Sequence, residues 1–73
     1  MKVVVWSKSG CPQCDMATRL LDSKNIESTV NKIGDGYTVE DLRSIVPNAS
    51  SVPQIIIDDV LIGGYKNLQD YLK

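Results

Sequence analysis

Two cysteines separated by two residues are the side chains of this sequence best suited to chemistry. Cys11 and Cys14 enclose Pro12-Gln13 and are the only cysteines in the chain. They follow an apolar run, Val3 to Trp6, and open a segment with helical spacing. A helix N-terminus lowers the pKa of a thiol from its ordinary value of about 8.5, and the thiolate is the form that attacks disulfides. The motif by itself indicates either redox chemistry or metal binding.

Three features of the sequence can activate the first thiol. Pro12 suits the first position of a helix, which makes Cys11 the N-cap residue. Cys11 then lies beside unpaired backbone N–H groups and the positive end of the helix dipole. Lys8, three residues earlier, can bring a positive charge close. The chain has no histidine, so a cysteine–histidine ion pair is excluded.

The alternative uses of the two thiols are weaker. Structural zinc requires four ligands, whereas this chain has two thiols and no histidine. A structural disulfide between these cysteines would close only a very small loop. We therefore favour a catalytic pair and expect no metal.

Composition and length restrict the protein class further. The 73 residues are 42% hydrophobic and 23% charged, which indicates a single soluble globular domain over residues 1–73. The net charge of −1 gives no basic excess for binding nucleic acid. No apolar segment approaches the ~20 residues that cross a bilayer, and we expect no signal peptide before the first strand. We expect a cytoplasmic protein, a compartment in which structural disulfides are rare.

The hydrophobic pattern predicts seven elements that position the cysteines. In order, they are a doubly buried strand at 3–6, a helix at 12–24, an edge strand at 27–32, a helix between Thr38 and Pro47, a hairpin of 54–57 and 60–62, and a closing helix near 68–72. The predicted apolar faces of the first two helices comprise Met16, Ala17, Leu20 and Leu21, and then Leu42, Ile45 and Val46. The order βαβαββα predicts an α/β fold with one mixed four-stranded sheet flanked by three helices.

Three segments of the sequence resemble the glutaredoxins of the thioredoxin superfamily, specifically the small dithiol type of bacteria and phages. They are residues 6–14 (Trp-Ser-Lys-Ser-Gly-Cys-Pro-Gln-Cys), Ser51-Val52-Pro53-Gln54, similar to the family's Thr-Val-Pro, and Ile62-Gly63-Gly64-Tyr65. A CxxC motif alone is a weak signal, but all three segments in this order are a strong one. The resemblance covers nearly the whole chain and implies a thioredoxin-like (glutaredoxin) fold.

The resemblance implies a glutathione-dependent thiol–disulfide oxidoreductase that reduces protein disulfides and glutathione mixed disulfides. Cys11 is the expected nucleophile, supported by Lys8, and forms a mixed disulfide with the substrate. Cys14 is the expected resolving thiol, less exposed than Cys11, and closes a Cys11–Cys14 disulfide. Glutathione, the co-substrate, then reduces that disulfide.

The family pattern also implies where glutathione binds. Pro53 is expected to follow a cis peptide bond and face the cysteines, so that Val52 offers its backbone N–H and C=O to an extended thiol peptide. The N-terminus after Gly63-Gly64 is expected to receive the γ-glutamyl carboxylate. The complete predicted set is Lys8, Gln13, Ser51, Val52, Pro53, Gly64, Tyr65, Lys66 and Asn67.

Two positions depart from the pattern of close relatives. After Gly-Gly-Tyr these carry Ser or Thr and then Asp, which pairs with the glutathione amine, whereas this chain has Lys66 and Asn67. The charge pair is lost, and Lys66 could attract a carboxylate instead. Gln13 occupies a position at which the family commonly has tyrosine, so this chain lacks an aromatic side chain beside the thiol.

One arginine and one tyrosine each fit two roles in the sequence. Arg43 fits either a contact with the glycine carboxylate or a solvated helix face, and Tyr65 fits either the groove or a structural position. The other aromatic residues, Trp6, Tyr37 and Tyr71, are predicted to pack.

The expected partner follows from Gln13, which is also frequent in redoxins that serve ribonucleotide reductase. We expect a monomer that donates electrons to that enzyme. Gln13 and Asn67 also motivate an alternative, a redoxin reduced by thioredoxin reductase. An alternative of another class is a dimeric carrier of an iron–sulfur cluster bound by Cys11 and glutathione, although proline after the first cysteine is more typical of reductases.

Overall fold

Seven elements occur in the computed structural model, which describes residues 1–73, and they follow the predicted order βαβαββα. They are β1 (Val3–Lys8), α1 (Pro12–Ser23), β2 (Thr29–Ile33), α2 (Val39–Ile45), β3 (Gln54–Ile57), β4 (Val60–Gly63) and α3 (Tyr65–Tyr71). None of the helices combines the length and the apolar character that crossing a membrane requires.

The four strands form one mixed sheet in the order β2-β1-β3-β4. The apolar strand β1 is central, parallel to β2 and antiparallel to β3. The more polar β2 lies at an edge, as predicted. β3 and β4 form the predicted antiparallel hairpin, and its turn places Asp58 and Asp59 at φ of 50° and 67°. Aspartate tolerates this left-handed conformation better than most residues.

The core has two parts, one on each face of the sheet. Because successive strand residues point to opposite faces, the apolar residues 3–6 of β1 contribute to both parts. On the face with α1 and α3 lie Val3, Val5, Ala17, Leu21, Ile55, Ile57 and Leu68. On the face with α2 lie Trp6, Leu42, Val46, Ala49 and Ile56. The sheet is therefore covered by helices on both sides. Because Ala17 and Leu21 pack α1 against one face of the sheet, the position of its N-terminus is fixed.

Some apolar side chains predicted to be buried are exposed. Met16 is 45% exposed and Ile45 is 57% exposed, so the prediction that they face the core is wrong. The buried side of α1 instead contains Cys14, Ala17 and Leu21, which places Met16 on the solvent side. Tyr71, expected to pack, is 48% exposed.

The remaining predicted packing residues are in contact with each other. Trp6 is buried, and the Tyr37 ring meets it edge to face with the centroids 5.3 Å apart. The indole N–H of Trp6 has no hydrogen-bond partner. The aromatic pair links the central strand to the loop before α2.

Candidate active site

The two cysteines lie at the N-terminus of α1 and form a disulfide bond, with their Cα atoms 5.3 Å apart. Cys11 is the N-cap, as predicted, with extended backbone angles (φ −108°, ψ 98°) and Pro12 at the start of the helix. Gly10 precedes it with φ of 73°, a conformation that turns the chain from the end of β1 into the helix.

The Cys11 sulfur accepts a hydrogen bond from a backbone group of α1. The N–H of Cys14 donates to Sγ of Cys11 over 3.2 Å. This N–H is one of the groups that have no partner within the helix, and it stabilises negative charge on the sulfur more than it stabilises a neutral thiol. The predicted activation of Cys11 thus has a specific donor.

The two sulfurs differ in their access to solvent. Cys11 is 9% exposed, whereas Cys14 is 1% exposed. A substrate disulfide can therefore approach Cys11 from outside, whereas the surrounding structure shields Cys14 from it. This difference agrees with the predicted division between a nucleophile and a less exposed second thiol.

The segment before β3 lies against the cysteines. The Val52-Pro53 peptide bond is cis, as predicted. The carbonyl oxygen of Val52 lies 3.8 Å from Sγ of Cys11, and Pro53 is buried behind it. Val52 itself is half-buried. A main-chain group that can pair with an extended peptide is thus positioned directly beside the reactive sulfur.

The N-terminus of α3 approaches the cis-proline segment. A Cβ atom added to Gly64 would lie 3.8 Å from the carbonyl oxygen of Pro53, so the backbone of Gly64 passes close to the cis-proline segment. Asn67 accepts a hydrogen bond through Oδ1 from the N–H of Gly64 over 3.3 Å. Its amide oxygen therefore caps α3, a role that the sequence prediction did not include. Lys66 is exposed next to it.

Two other side chains predicted to bind glutathione differ in burial. Tyr65 is half-buried and packs against the core on the α1–α3 face, and its hydroxyl accepts a hydrogen bond from Nε2 of Gln69. These contacts give Tyr65 a structural role and leave part of its surface exposed. Gln13 is exposed on the first turn of α1.

A pocket of about 180 Å³ extends from Val52 toward α2. It brings together Lys8, Arg43, Ser51 and Val52, all of them considered from the sequence, and Arg43 also donates from Nε to the carbonyl oxygen of Ala49. The other lining residues were not predicted: Ile33, Val39, Leu42, Ala49 and Ser50. They come from three separate segments, so no local sequence signal marks them.

The Cys11–Cys14 disulfide is the reactive group of this site. No cluster of three or more histidine, cysteine, aspartate or glutamate side chains is present that could hold a metal ion. Chemically, the arrangement offers a redox-active sulfur pair, a main-chain acceptor beside it, and a pocket with two cations.

Comparison with known proteins gives a consistent result. The family model described as Glutaredoxin matches residues 3–62. The chain is 34% identical over 80 residues to Glutaredoxin of Haemophilus influenzae, with 100% of this chain and 92% of the relative covered. It is 32% identical over 80 residues to Glutaredoxin 1 of Escherichia coli K12, with 100% and 94% covered. Among solved structures, Glutaredoxin 1 of Francisella tularensis, complexed with cacodylate, superposes with a TM-score of 0.84 at 29% identity, covering 97% of this chain and 91% of that one.

Proposed function

The chain belongs to the glutaredoxin family of the thioredoxin superfamily, and we propose that it reduces protein disulfides and glutathione mixed disulfides with electrons from glutathione. Membership of the family and the Cys11–Cys14 pair make it a thiol–disulfide oxidoreductase. The observation that best supports the finer proposal is the cis Val52-Pro53 segment, whose carbonyl oxygen lies 3.8 Å from Sγ of Cys11. A small thiol peptide that pairs with this main chain has its own sulfur beside the nucleophile.

The first step is attack by Cys11. In the reduced protein its thiolate, stabilised by the N–H of Cys14 and by the helix dipole, attacks one sulfur of the substrate disulfide. A bond forms between Sγ of Cys11 and that sulfur, and the substrate disulfide breaks. The other substrate sulfur leaves as a thiolate and takes up a proton from water.

The second step uses Cys14. As a thiolate it attacks Sγ of Cys11, and the Cys11–substrate disulfide breaks. The substrate sulfur leaves as a thiolate that takes up a proton from water, and the intramolecular disulfide seen in the structure forms. The substrate has then gained two electrons, and the protein has lost two. Two glutathione molecules return them in two exchange steps and leave as glutathione disulfide.

The charges around the cysteines support glutathione as the reductant. Its glycine carboxylate matches the pocket that contains Lys8 and Arg43, beside Ser51 and Val52. Its γ-glutamyl end lies toward the residues at the start of α3, where Lys66 attracts the carboxylate and Gly64 and Tyr65 line the groove. Gln13 is exposed on the first turn of α1, and its side chain contacts the substrate there.

The physiological setting is part of the same proposal. Gln13, on the exposed first turn of α1, favours ribonucleotide reductase as an electron acceptor. The protein acts in the cytoplasm as a monomer.

The test is to identify which reductant opens the Cys11–Cys14 disulfide. Oxidised protein is incubated with glutathione, glutathione reductase and NADPH, or with thioredoxin reductase and NADPH. The small molecules are then removed, and the free thiols of the protein are titrated. We expect two thiols per chain with glutathione. If thiols appear only with thioredoxin reductase and NADPH, the protein is a redoxin of the alternative type. A coloured dimer after anaerobic incubation with iron, sulfide and glutathione would instead support a cluster carrier.

A further inference from the structure

The pocket beside Val52 extends beyond what a glycine residue needs. Its volume is about 180 Å³, whereas a cavity of about 150 Å³ holds a molecule as large as benzene. Beyond the main chain, glycine carries only a hydrogen atom. Binding of glutathione therefore leaves most of this space unfilled, while a leucine or phenylalanine side chain would fit.

The pocket wall is mostly apolar. Five of its nine lining residues are hydrophobic: Ile33, Val39, Leu42, Ala49 and Val52. Leu42 and Ala49 belong to the core on the α2 face, so this wall is fixed by packing. An apolar side chain that enters the pocket loses contact with water and gains contact with a preformed surface.

The charged residues of the pocket have one sign. Lys8 and Arg43 are the charged side chains in its lining, and no carboxylate accompanies them. Both residues are exposed, so their charges act at the rim rather than at the base of the pocket. A ligand that complements this pocket combines an apolar group with a nearby carboxylate.

The pocket also has a defined position relative to a bound cysteine. Its lining includes consecutive residues 50–52 and no residue of α3, whereas Gly64 at the start of α3 approaches the carbonyl oxygen of Pro53. In the proposed function the carboxyl end of glutathione points toward Lys8 and Arg43. The residues after the cysteine of a longer peptide take the same direction.

We propose that this pocket selects protein substrates in which the reacting cysteine is followed by a large apolar residue and then by a carboxylate. The inference rests on the proposed function and adds a sequence preference to it. The apolar side chain fills the pocket, and the carboxylate meets Lys8 and Arg43. The chemical step is the exchange already described, in which Cys11 bonds to the peptide sulfur and the sulfur's previous partner leaves as a thiolate.

Four short peptides test the preference. Each contains one cysteine followed by Leu or Gly and then by Glu or Gln, with blocked ends and with 2-nitro-5-thiobenzoate as the disulfide-bonded leaving group. The release of that coloured thiolate by the reduced protein is followed under single-turnover conditions. We expect the Leu-Glu peptide to react about tenfold faster than the Gly-Gln peptide at limiting concentration, with leucine contributing most of the difference.

Two variants assign the preference to the pocket. Val39 is 41% exposed at the start of α2, so Val39→Trp fills the pocket from its open side and should bring the Leu-to-Gly rate ratio close to one. Arg43→Gln should reduce the Glu-to-Gln ratio. Lys24→Gln is the matched control, because it removes one exposed charge at the opposite end of α1 and should preserve both ratios.

The outcomes separate this inference from the proposed function. Equal rates with all four peptides, or a leucine preference that survives Val39→Trp, would overturn the sequence preference. If the wild-type protein still reduces a glutathione mixed disulfide in that case, the proposed function stands. Failure to react with any disulfide would overturn both. Each ratio compares two substrates on one variant, so partial misfolding does not change it.

Discussion

The backbone N–H of Cys14 donates a hydrogen bond to Sγ of Cys11 over 3.2 Å, so the resolving residue also stabilises the nucleophile. The donor belongs to the main chain and does not depend on the Cys14 side chain. It acts together with the helix dipole, because Cys11 is the N-cap of a twelve-residue helix. Both effects favour the thiolate.

The first prediction concerns the pH dependence of Cys11 in the reduced protein. The N–H of Cys14 and the helix dipole favour the thiolate, so alkylation by iodoacetamide should rise with pH and level off with a midpoint below that of a free cysteine. An unperturbed thiol would give a midpoint near 8.5. Cys14→Ser should retain the low midpoint, because its main chain still donates, and Cys11→Ser should abolish it. A midpoint near 8.5 in the wild type would show that the helix does not activate this thiol.

A second prediction separates the two reactions of the enzyme. Cys14→Ser should retain reduction of glutathione mixed disulfides, which requires one thiol, but lose protein-disulfide reduction by about tenfold or more. The serine preserves both the size of the buried side chain and the N–H bond to Cys11. Insulin reduction and turnover of a glutathione mixed disulfide measure the two activities. Full insulin reduction by the variant would contradict the two-thiol mechanism, and Cys11→Ser, inactive in both assays, is the control.

A third prediction concerns the turn that leads into α3. Gly63 has φ of 119°, and a Cβ atom there would lie 2.9 Å from Cγ of Asn67. Gly63→Ala should therefore lower the free energy of unfolding through backbone strain, about 1–3 kcal/mol, and through steric overlap that adds about 1–3 kcal/mol. Urea unfolding measures the change.

Gly36→Ala is the matched control for this prediction. Gly36 has φ of 94°, but a Cβ atom there would meet nothing within 4 Å. It should show only the cost of backbone strain. Equal losses in the two variants would mean that Asn67 moves aside without cost.

A fourth prediction addresses the position where the chain departs from its close relatives. Asn67→Asp keeps an acceptor for the N–H of Gly64 and adds a negative charge near the expected γ-glutamyl amine. The KM for a glutathione mixed disulfide should fall about two- to fivefold, as expected for an exposed ion pair, and the gain should shrink in high salt.

Asn67→Ala is the control for the added charge. It removes the acceptor of Gly64, so it should cost about 1 kcal/mol of folding stability without lowering KM. If Asn67→Asp left KM unchanged, the γ-glutamyl amine would lie elsewhere.

Local sequence signals were sufficient for most of the fold. Pro12 after Cys11 marked the start of α1, the apolar run of β1 identified the central strand, and Asp58-Asp59 marked the hairpin turn. The same signals did not decide which face of α1 is buried. Met16 fits the helical spacing as well as Ala17 does, but packing against α3 and the sheet selects Cys14, Ala17 and Leu21.

The site was predicted only in part for a similar reason. Cys11, Cys14 and the cis Val52-Pro53 bond were marked by motifs. The pocket next to them was not, because Ile33 and Val39 meet Ala49 only after β2 and α2 have packed. The cap that Asn67 forms on Gly64 had a signal in its spacing, since a polar residue three positions after a helix N-cap often bonds back to it.

The most direct test of the central claim is to identify the sulfur that first bonds to glutathione. Reduced Cys14→Ser and Cys11→Ser variants are treated with glutathione disulfide, and the adducts are located by peptide mass spectrometry. We predict one glutathione on Cys11 of the Cys14→Ser variant and little on Cys14 of the other, because Cys14 is 1% exposed. Rapid labelling of Cys14 in the Cys11→Ser variant, with Cys11 unmodified in the Cys14→Ser variant, would contradict the assignment of Cys11 as the nucleophile.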